Sequence, residues 1–445
     1  MTSSLLIDPA GALHMTDGKV LFTCHGCGAA VDATRALPFR CPRAGAPGDD
    51  ADHLLVPADL EGAYPGGGEA HPFLRYRALL SPYRLARASG LPDAAWFELV
   101  GALDEALVRV DGRGFRVTPL TRQPALARAT GIAGELWVKD ETGNVSGSHK
   151  ARHLMAVMLY LRVLEAARLP AGEGLRRRRL AIASCGNAAL AAAVVARAAD
   201  WPLEVFIPTD ASAAVVRRLA ELGAAVTVCE RRPAEAGDPC FLRFREAVGA
   251  GALPFGVQGP ENGLAVEGGR TLAFELVDGL RAAGASPGDL FVQVGGGALA
   301  SALGAGFAVA ARLGALLRAP RLVAVQTEGC APLARAWERL GATPLAEAAR
   351  ARSRFMWAWE TTPHSIAHGI LDDETYDWWE IASAMRATSG APLVVGEDVL
   401  TRAHELARNH TGISVSATGT AGLAGALAAR PSGDALVIFS GVERP

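Results

Sequence analysis

The sequence predicts an α/β protein in which mostly parallel β-sheets are covered by helices on both faces. Two observations support this class. From Leu136 onward, short runs rich in β-branched residues alternate with longer apolar stretches of helical length. The chain has 445 residues, of which 50% are hydrophobic and 20% charged, so it is long enough for two or three compact domains.

The predicted elements follow one another from residue 136. Strands are expected at Leu136–Lys139, Leu180–Ala183, Leu203–Ile207, Ala225–Cys229, Leu290–Val294, Leu322–Gln326 and Ala435–Phe439. Helices are expected between them at His153–Ala167, Ala188–Ala199, Ala213–Leu222, Gly268–Ala282 and Ala300–Leu317. Ligands bind beyond the carboxyl ends of the strands in such sheets, so the segments that follow strands are the candidates for chemistry.

Three cysteines near the start of the chain, Cys24, Cys27 and Cys41, form a pattern typical of an incomplete zinc ribbon. A structural zinc site takes four N or S ligands, and Ala44 stands where a fourth cysteine would complete the ribbon. We therefore expect a degenerate ribbon-like segment without a bound metal, with a zinc site as the alternative. The Pro- and Gly-rich stretch Ala46–Gly68 predicts a linker.

Charge and composition argue against several classes of protein. The net charge is −2, with 44 basic and 46 acidic residues, so an overall basic field for binding nucleic acid is missing. Residues 1–10 lack the features of a signal peptide, and Gly and Arg interrupt the apolar stretch Ala298–Leu317, which favours a packed helix over a membrane span. The 7 scattered cysteines disfavour a disulfide framework. We expect a cytoplasmic protein.

Four segments that follow predicted strands carry chemically informative residues. Residues 146–150 read Ser-Gly-Ser-His-Lys, and residues 184–187 read Ser-Cys-Gly-Asn. Residues 294–299 read Val-Gly-Gly-Gly-Ala-Leu, and residues 439–441 read Phe-Ser-Gly. Successive glycines let backbone N–H groups converge on a phosphate, and partial burial lowers the pKa of a lysine amine so that it can form an imine.

Together and in this order, the four segments resemble the lysine box, the Ser-x-Gly-Asn turn, the phosphate cup and the terminal strand of the fold-type II pyridoxal-phosphate (PLP) enzymes, such as threonine synthase, serine dehydratase and the tryptophan synthase β subunit. The resemblance implies two three-layer αβα domains. A large domain would comprise residues 66–152 plus 273–445, and a small mobile domain residues 153–272, preceded by the ribbon-like segment 1–65. It also implies PLP as the cofactor and a homodimer.

The resemblance implies a role for each matching residue. Lys150 holds the cofactor as a Schiff base, and the Asn187 amide hydrogen-bonds its 3-hydroxyl. The phosphate contacts the cup, which is formed by Gly295, Gly296, Gly297, Ala298 and Leu299. The Ser440 hydroxyl faces the pyridine nitrogen. Because a hydroxyl cannot keep that nitrogen protonated as a carboxylate would, elimination or replacement at the β carbon fits better than aminotransfer.

Further residues are predicted to contact an amino-acid substrate. Those in the lysine box and the turn are Ser146, Gly147, Ser148, Ser184 and Gly186. His364 and His368, in a predicted loop, are candidate substrate contacts or acid/base groups, with surface or structural histidines as the alternative. Cys185 stands where relatives have Ser or Thr, at a helix end that would stabilise a thiolate. It is a candidate catalytic residue opposite Lys150 or a compact group that shapes the carboxylate pocket.

The sequence predicts a PLP-dependent lyase acting by β-elimination, or by β-replacement, on a small β-substituted L-amino acid. Lys150 would remove the α proton, and loss of the β substituent would give an aminoacrylate. The alternatives are threonine synthase, acting on O-phosphohomoserine, and a catalytically idle PLP-binding homologue. Ala151 and Ala265 replace two residues that the threonine synthase pattern expects, the second being a phosphate-binding arginine, for which Arg152 or Arg270 can compensate.

Overall fold

The computed structural model describes residues 20–444 except 59, 61, 234 and 236, and also the backbone of two short strands at residues 6–7 and 13–14. Within this part of the chain there is one six-stranded and one four-stranded sheet, with smaller sheets of three and two strands. The two larger sheets are mostly parallel and are connected through helices. The predicted α/β class with mostly parallel sheets is confirmed.

The strands are β1 (Leu6–Ile7), β2 (Leu13–His14), β3 (Leu21–Cys24), β4 (Ala30–Asp32), β5 (Leu55–Pro57), β6 (Leu120–Arg122), β7 (Leu136–Asp140), β8 (Leu180–Ala183), β9 (Leu203–Pro208), β10 (Ala225–Cys229), β11 (Leu253–Pro254), β12 (Asp289–Gln293), β13 (Arg321–Thr327), β14 (Ala391–Val395) and β15 (Ala435–Phe439). The helices are α1 (Pro72–Arg75), α2 (Ser81–Ala88), α3 (Asp93–Asp111), α4 (Pro124–Thr130), α5 (Lys150–Ala166), α6 (Asn187–Ala198), α7 (Ala213–Glu221), α8 (Pro239–Gly249), α9 (Gly263–Ala282), α10 (Ala298–Arg312), α11 (Pro332–Leu340), α12 (Leu345–Ala348), α13 (Trp378–Thr388), α14 (Glu397–Thr411) and α15 (Ala417–Ala429). Short 3-10 turns include Val145–Gly147 and His368–Ile370.

The six-stranded sheet has the order β14-β13-β12-β15-β7-β6, and its strands run parallel except for β6 against β7. The central strand β15 reads Ala-Leu-Val-Ile-Phe and is buried throughout, as expected for a strand covered on both faces. Parallel strands end at the same edge of a sheet. Gln293 at the end of β12 therefore lies beside Ser440, which follows β15.

The four-stranded sheet has the order β10-β9-β8-β11, and all its strands run parallel. Its strands come from residues 180–254, inside the small domain predicted at 153–272, although the domain boundaries stay a prediction. Helix α6 follows β8 directly and begins at Asn187. Its run of alanines lets it pack closely, and nine of its 12 residues are buried.

Helices α5 and α9 pack against each other and carry a buried ionic network. The Arg152 guanidinium donates to Glu141 at 2.7 and 2.9 Å and to Glu275 at 2.6 Å. The Lys139 amine donates to Glu275 at 2.6 Å, and these side chains are at most 1% exposed. Each buried charge is thus paired, which offsets the cost of removing it from water.

Over the residues that the structure places, none of the helices has both the length and the apolar character needed to cross a bilayer.

The N-terminal sheet has the order β4-β3-β5 and is antiparallel. Strand β5 lies inside the stretch Ala46–Gly68, so the prediction of a linker was wrong there: Leu55 pairs with Cys24 in the register of β3 and β5. Its three-residue length is too short to show an apolar period. A hydrogen bond from the Gly263 N–H to the Phe39 carbonyl, 3.1 Å long, joins this region to the start of α9.

The sequence did not indicate three strands of the larger sheets, β6, β11 and β14. Strands β6 and β11 have three and two residues, and neither shows a periodic pattern. Strand β14 begins Ala391-Pro392, and proline argues against an interior strand. The structure places β14 at the edge of the six-stranded sheet, where a missing N–H is tolerated.

Candidate active site

The candidate site is a cavity of about 530 Å³ at the carboxyl ends of β8, β12 and β15. Residues of all four segments line it: Lys150, Asn187, Gly295, Gly296, Gly297, Ala298, Leu299 and Ser440. A cavity of this size accommodates a cofactor together with a small substrate. A second cavity of about 350 Å³ lies beside it, between the N-terminal sheet and α8, and shares Asp238, Phe241, Asp373 and Tyr376 with it.

Lys150 is the first residue of α5 and lines the cavity. Burial lowers the pKa of its amine below the ordinary value, while the carboxylates of Asp372 and Asp377 act in the opposite direction. A lower pKa leaves more of the amine unprotonated, which is the form that attacks a carbonyl group. Lys150 therefore meets the chemical requirement for imine formation.

The turn after β8 brings Asn187 to the cavity wall. The Asn187 side-chain oxygen accepts a 3.0 Å hydrogen bond from the Arg444 guanidinium. This bond fixes the orientation of the amide and leaves its NH₂ group as the donor. Arg444 also donates to the Ser146 carbonyl at 2.6 Å, so the chain terminus connects the turn to the lysine box.

The glycine segment between β12 and α10 forms a cradle of backbone N–H groups. Gly297 has φ 106°, a conformation that favours glycine, and it precedes the first turn of α10. A Cβ atom on Gly295 would lie 2.5 Å from an Asp372 carboxylate oxygen. The Gly296 N–H donates to the same carboxylate at 2.7 Å. The cradle therefore already binds an anionic group of the protein, as a phosphate site should.

Ser440 lines the cavity and is hydrogen-bonded to Gln293. The Gln293 amide donates to the Ser440 hydroxyl oxygen at 2.6 Å and to the Gly419 carbonyl at 3.1 Å. Because Gln293 donates to the hydroxyl, the hydroxyl proton is available for an acceptor in the cavity. A serine held in this way can donate to a pyridine nitrogen but cannot supply that nitrogen with a negative countercharge.

Three of the predicted substrate contacts lie behind the cavity wall. Ser146, Gly147 and Ser148 are buried and do not line the cavity. Ser146 has φ 59°, and its N–H donates to Asp111 at 2.7 Å, so the segment shapes the turn into α5. Ser184 and Gly186 do line the cavity.

The structure separates the two predicted loop histidines. His368 lines the cavity, whereas His364 is exposed outside it and lies 3.3 Å from the Thr362 carbonyl. A third histidine, His149, lines the cavity next to Lys150. Burial, and then the positive charge of Lys150, lowers the pKa of His149 to about 3, so this ring is neutral. Its Nδ1 donates to the Ser440 carbonyl at 3.0 Å.

Cys185 lines the cavity two residues before the start of α6. Contrary to the expectation of a stabilised thiolate, desolvation by the surrounding protein raises the pKa of the Cys185 thiol, and the carboxylate of Asp210 adds to this effect. The Cys185 side chain is nevertheless exposed in the open cavity. A raised pKa favours the neutral thiol, and the choice between a catalytic and a packing role for Cys185 stays a prediction.

Residues 113–441 match the family described as pyridoxal-phosphate dependent enzymes. The chain belongs to this family. PLP is therefore its cofactor, and the site fits it: a buried lysine, an anion cradle and a serine hydroxyl surround one cavity. In this PLP enzyme, Lys150 would hold the cofactor, the backbone of Gly295–Gly297 its phosphate, Asn187 its hydroxyl and Ser440 its ring nitrogen.

The proteins whose sequences resemble that of this PLP enzyme are named after different activities. It is 29% identical to threonine synthase of Synechocystis over 273 residues, 60% of this chain and 66% of that one. It is 32% identical to a mouse serine dehydratase-like protein over 207 residues, 46% of this chain and 56% of that one. The chain thus spans less than two thirds of either relative. Maize serine racemase has the same fold, with a TM-score of 0.56 and 19% identity over 78% of this chain and 94% of that one.

Acidic side chains of the PLP enzyme were missed by the sequence analysis. Asp238, Asp372 and Asp373 all line the cavity. Burial raises the pKa of Asp373 to about 6, and the neighbouring carboxylate of Glu374 adds to this effect. These residues follow no predicted strand and belong to no recognised segment, so only their spatial convergence reveals them. Gln293 was missed for a different reason, because its role depends on the pairing of β12 with β15.

Basic side chains contribute little to the cavity of the PLP enzyme. Arg152 is bound in the ionic network of α5, and neither Arg152 nor Arg270 lines the cavity. Of the lining residues that the structure describes, one is an arginine, Arg231, which donates to the carbonyls of Glu235 and Gly237 at 3.1 and 2.9 Å. The sequence allowed Arg152 or Arg270 to replace the missing phosphate-binding arginine. Neither side chain lines this cavity, so neither replaces it here.

Proposed function

We propose that this protein is a PLP-dependent lyase that eliminates the β substituent of a small L-amino acid carrying a β-hydroxyl or β-amino group. The observation that carries the proposal is the convergence of Lys150, the glycine cradle and the Ser440 hydroxyl on one cavity. Bound PLP supplies the electron sink that makes the α carbon of the substrate acidic. The Ser440 hydroxyl, if it faced the ring nitrogen, would limit that sink, which would favour elimination over aminotransfer.

The residues of the chain have separate tasks in this reaction. The Lys150 amine would act as the base that accepts the α proton of the substrate. The first N–H groups of α6, near Gly186 and Asn187, bind the substrate carboxylate at the positive end of that helix. The β substituent would leave with its bonding electron pair and take up a proton, departing as water or ammonia, and one water molecule would then hydrolyse the remaining enamine to a 2-oxo acid and ammonia.

Charge in the cavity supports a neutral or cationic β substituent. The carboxylates of Asp238, Asp372 and Asp373 face the same space as Lys150. A phosphorylated substrate brings two negative charges and needs charge-assisted donors, of which this wall offers few. A hydroxyl or an ammonium group, by contrast, can pair with a carboxylate. The neutral Cys185 thiol is proposed to shape the pocket for the substrate carboxylate.

Threonine synthase is the second candidate, because the relative from Synechocystis has that name. On this view O-phosphohomoserine would be the substrate, and the same lysine would act. The candidate requires a phosphate-binding group beyond the cofactor cradle. His368 or Arg231 would have to provide it.

The test is a substrate panel with the PLP-loaded enzyme. L-serine, L-threonine, 2,3-diaminopropionate and O-phosphohomoserine are supplied separately, and 2-oxo acid, ammonia and phosphate are measured. The proposal expects 2-oxo acid and ammonia from at least one of the first three, without them in the Lys150→Ala variant. Saturable phosphate release with threonine formation would instead establish the second candidate. Normal PLP binding without turnover of any compound would contradict both and favour an idle homologue.

A further inference from the structure

A cluster of four potential metal ligands lies outside the cavity, in the N-terminal sheet. Cys24 ends β3, Cys27 lies in the turn after it, Cys41 follows β4, and His53 stands two residues before β5. The three Sγ atoms and one ring nitrogen of His53 lie within 4.8 Å of one another. The fold therefore supplies the fourth ligand that the sequence lacks at Ala44.

The distances agree with a tetrahedral site. With Zn–S bonds of about 2.3 Å and Zn–N bonds of about 2.0 Å, neighbouring ligand atoms of a tetrahedron lie roughly 3.5 to 3.8 Å apart. The Cys27 and Cys41 sulfur atoms are 3.5 Å apart, and the Cys24 sulfur is 3.3 Å from His53 Nδ1. A disulfide would need about 2.05 Å between sulfurs. The four atoms thus surround a point that suits a metal ion.

The orientation of His53 is fixed by a carboxylate. Both Asp49 oxygens lie 3.0 Å from His53 Nε2, so Nε2 carries the proton and Nδ1 presents its lone pair to the thiols. Asp49 is itself held by the N–H groups of Gly45 and Ala51, at 2.7 and 3.1 Å. A carboxylate that orients a ligating histidine is the usual outer shell of a zinc site.

We infer that Cys24, Cys27, Cys41 and His53 bind one zinc ion in a structural site. Three sulfur ligands and one imidazole suit Zn²⁺, and four protein ligands leave no open position for a substrate. None of the four lines the 530 Å³ cavity, although His53 lines the neighbouring 350 Å³ cavity. The Arg43 N–H, 3.5 Å from the Cys41 sulfur, supports a thiolate ligand there.

The zinc would hold together a segment too small to have a core of its own. Strands β3, β4 and β5 contain four, three and three residues. Between the ligands Cys24 and Cys27, His25 stacks on Trp379 of α13 at 4.2 Å and pairs with Glu380 at 2.5 Å. A fixed turn therefore docks the N-terminal sheet onto α13, a helix that packs against the six-stranded sheet. This contact lies next to residues 372–377, part of which line the cavity.

The experiment measures metal in the full-length, PLP-loaded protein. Elemental analysis is expected to find one zinc per chain after purification without added metal. Replacing the zinc with Co²⁺ should give the intense visible d–d bands and the thiolate charge-transfer band of a tetrahedral site. Less than one tenth of an equivalent of zinc together with no such cobalt spectrum would overturn the inference. So would a Cys27–Cys41 disulfide found by non-reducing peptide mapping of the native protein.

Variants assign the ligands. Asp49→Asn should weaken zinc binding about 10- to 100-fold in a chelator competition, and His53→Ala should weaken it more. His53→Cys should restore binding, because a thiolate can replace the imidazole. Cys240→Ser, which changes a buried cysteine outside the cluster, is the matched control and should keep its zinc. Unchanged zinc affinity in His53→Ala would contradict the assignment, and if that variant does not fold, the cobalt spectrum of the wild type decides.

Discussion

At the scale of single residues, Asp372 determines how the cradle receives a phosphate. Its carboxylate accepts from the Gly296 N–H at 2.7 Å and lies against the Gly295 backbone. A phosphate in the cradle needs the same donor, and two anions cannot share it. A phosphate that takes this N–H donor would therefore have to displace the Asp372 carboxyl group.

Asp372→Asn should consequently bind PLP more tightly. Removing the competing charge is expected to lower the Kd about tenfold, which corresponds to about 1.4 kcal/mol. The measurement is a PLP titration of the apoenzyme followed by visible absorption. Asp373→Asn changes the neighbouring carboxyl, which is not bonded to Gly296, and serves as the control. Weaker or unchanged PLP binding in Asp372→Asn would contradict the competition.

At the scale of elements, the ionic network fixes α5 against β7 and α9. Arg152 lies two residues after Lys150, so the same pairs that stabilise the fold also hold the start of α5, from which the catalytic amine projects. Breaking a buried pair leaves an uncompensated charge away from water. The local sequence around Lys150 could not reveal the ionic pairs of Arg152, because its partner Glu275 lies 123 positions away in the chain.

Arg152→Leu should lower the free energy of unfolding by about 3 to 5 kcal/mol, because Glu141 and Glu275 lose a buried partner. Denaturant unfolding of the PLP-loaded protein measures the change. Arg162→Leu, on the same helix, removes a pair with Glu165 whose side chains are 26% and 25% exposed, together with a 2.7 Å hydrogen bond to the Ala199 carbonyl, and should cost about 1 to 2 kcal/mol. Equal losses in the two variants would contradict the role of the network.

Seven of the ten strands in the two larger sheets, and the helices α5, α6, α7, α9 and α10, were predicted from the sequence, whereas long helices such as α3, α14 and α15 were not. The strands β8, β10 and β15 have the predicted bounds, and other long apolar elements differ by a few residues at their ends. Such elements are buried on both faces, so their composition reveals them. Edge strands such as β14 and short ones such as β5 depend on their partners for stability, and that dependence has no signal in the local sequence.

At the scale of the whole molecule, a group of buried acids connects the N-terminal sheet to the cavity. Asp377 accepts hydrogen bonds from the Gly259 N–H at 2.9 Å and the Ser301 hydroxyl at 2.8 Å. Burial raises the pKa of Asp377 from 3.8 to about 7, and the carboxylate of Glu380 adds to this effect. The folded protein therefore keeps a proton on Asp377 at pH values where the unfolded chain has lost it.

The sign of the pH effect follows from this difference. The contribution of Asp377 to stability is complete below about pH 4 and is lost as the pH rises through about 7. Asp377→Asn, which keeps one of the two acceptor oxygens and cannot ionise, should remove this pH dependence. Relative to it, the wild type should lose a few kcal/mol between pH 4 and pH 8, measured by urea unfolding. The exposed Asp398→Asn is the control, and parallel curves for wild type and Asp377→Asn would contradict the assignment.

The candidate site was predictable where it follows strands and unpredictable where it depends on tertiary contacts. Lys150, Asn187, the cradle and Ser440 all line one cavity, as their positions after strands indicated. His53 and the acidic side chains of the cavity wall lie in irregular segments, whose positions are set by docking onto other elements. The substrate roles proposed for Cys185 and His368 stay predictions.

The most direct test of the central claim is to locate the covalent attachment of the cofactor. The chain contains three lysines, Lys19, Lys139 and Lys150, and Lys139 is bound to Glu275 at 2.6 Å. Borohydride reduction of the purified protein, followed by peptide mass spectrometry, reports which lysine holds PLP. The account predicts a phosphopyridoxyl group on Lys150, with no adduct and no visible absorption of bound cofactor in Lys150→Ala. An adduct on Lys19 or Lys139, or an unchanged adduct in that variant, would contradict it.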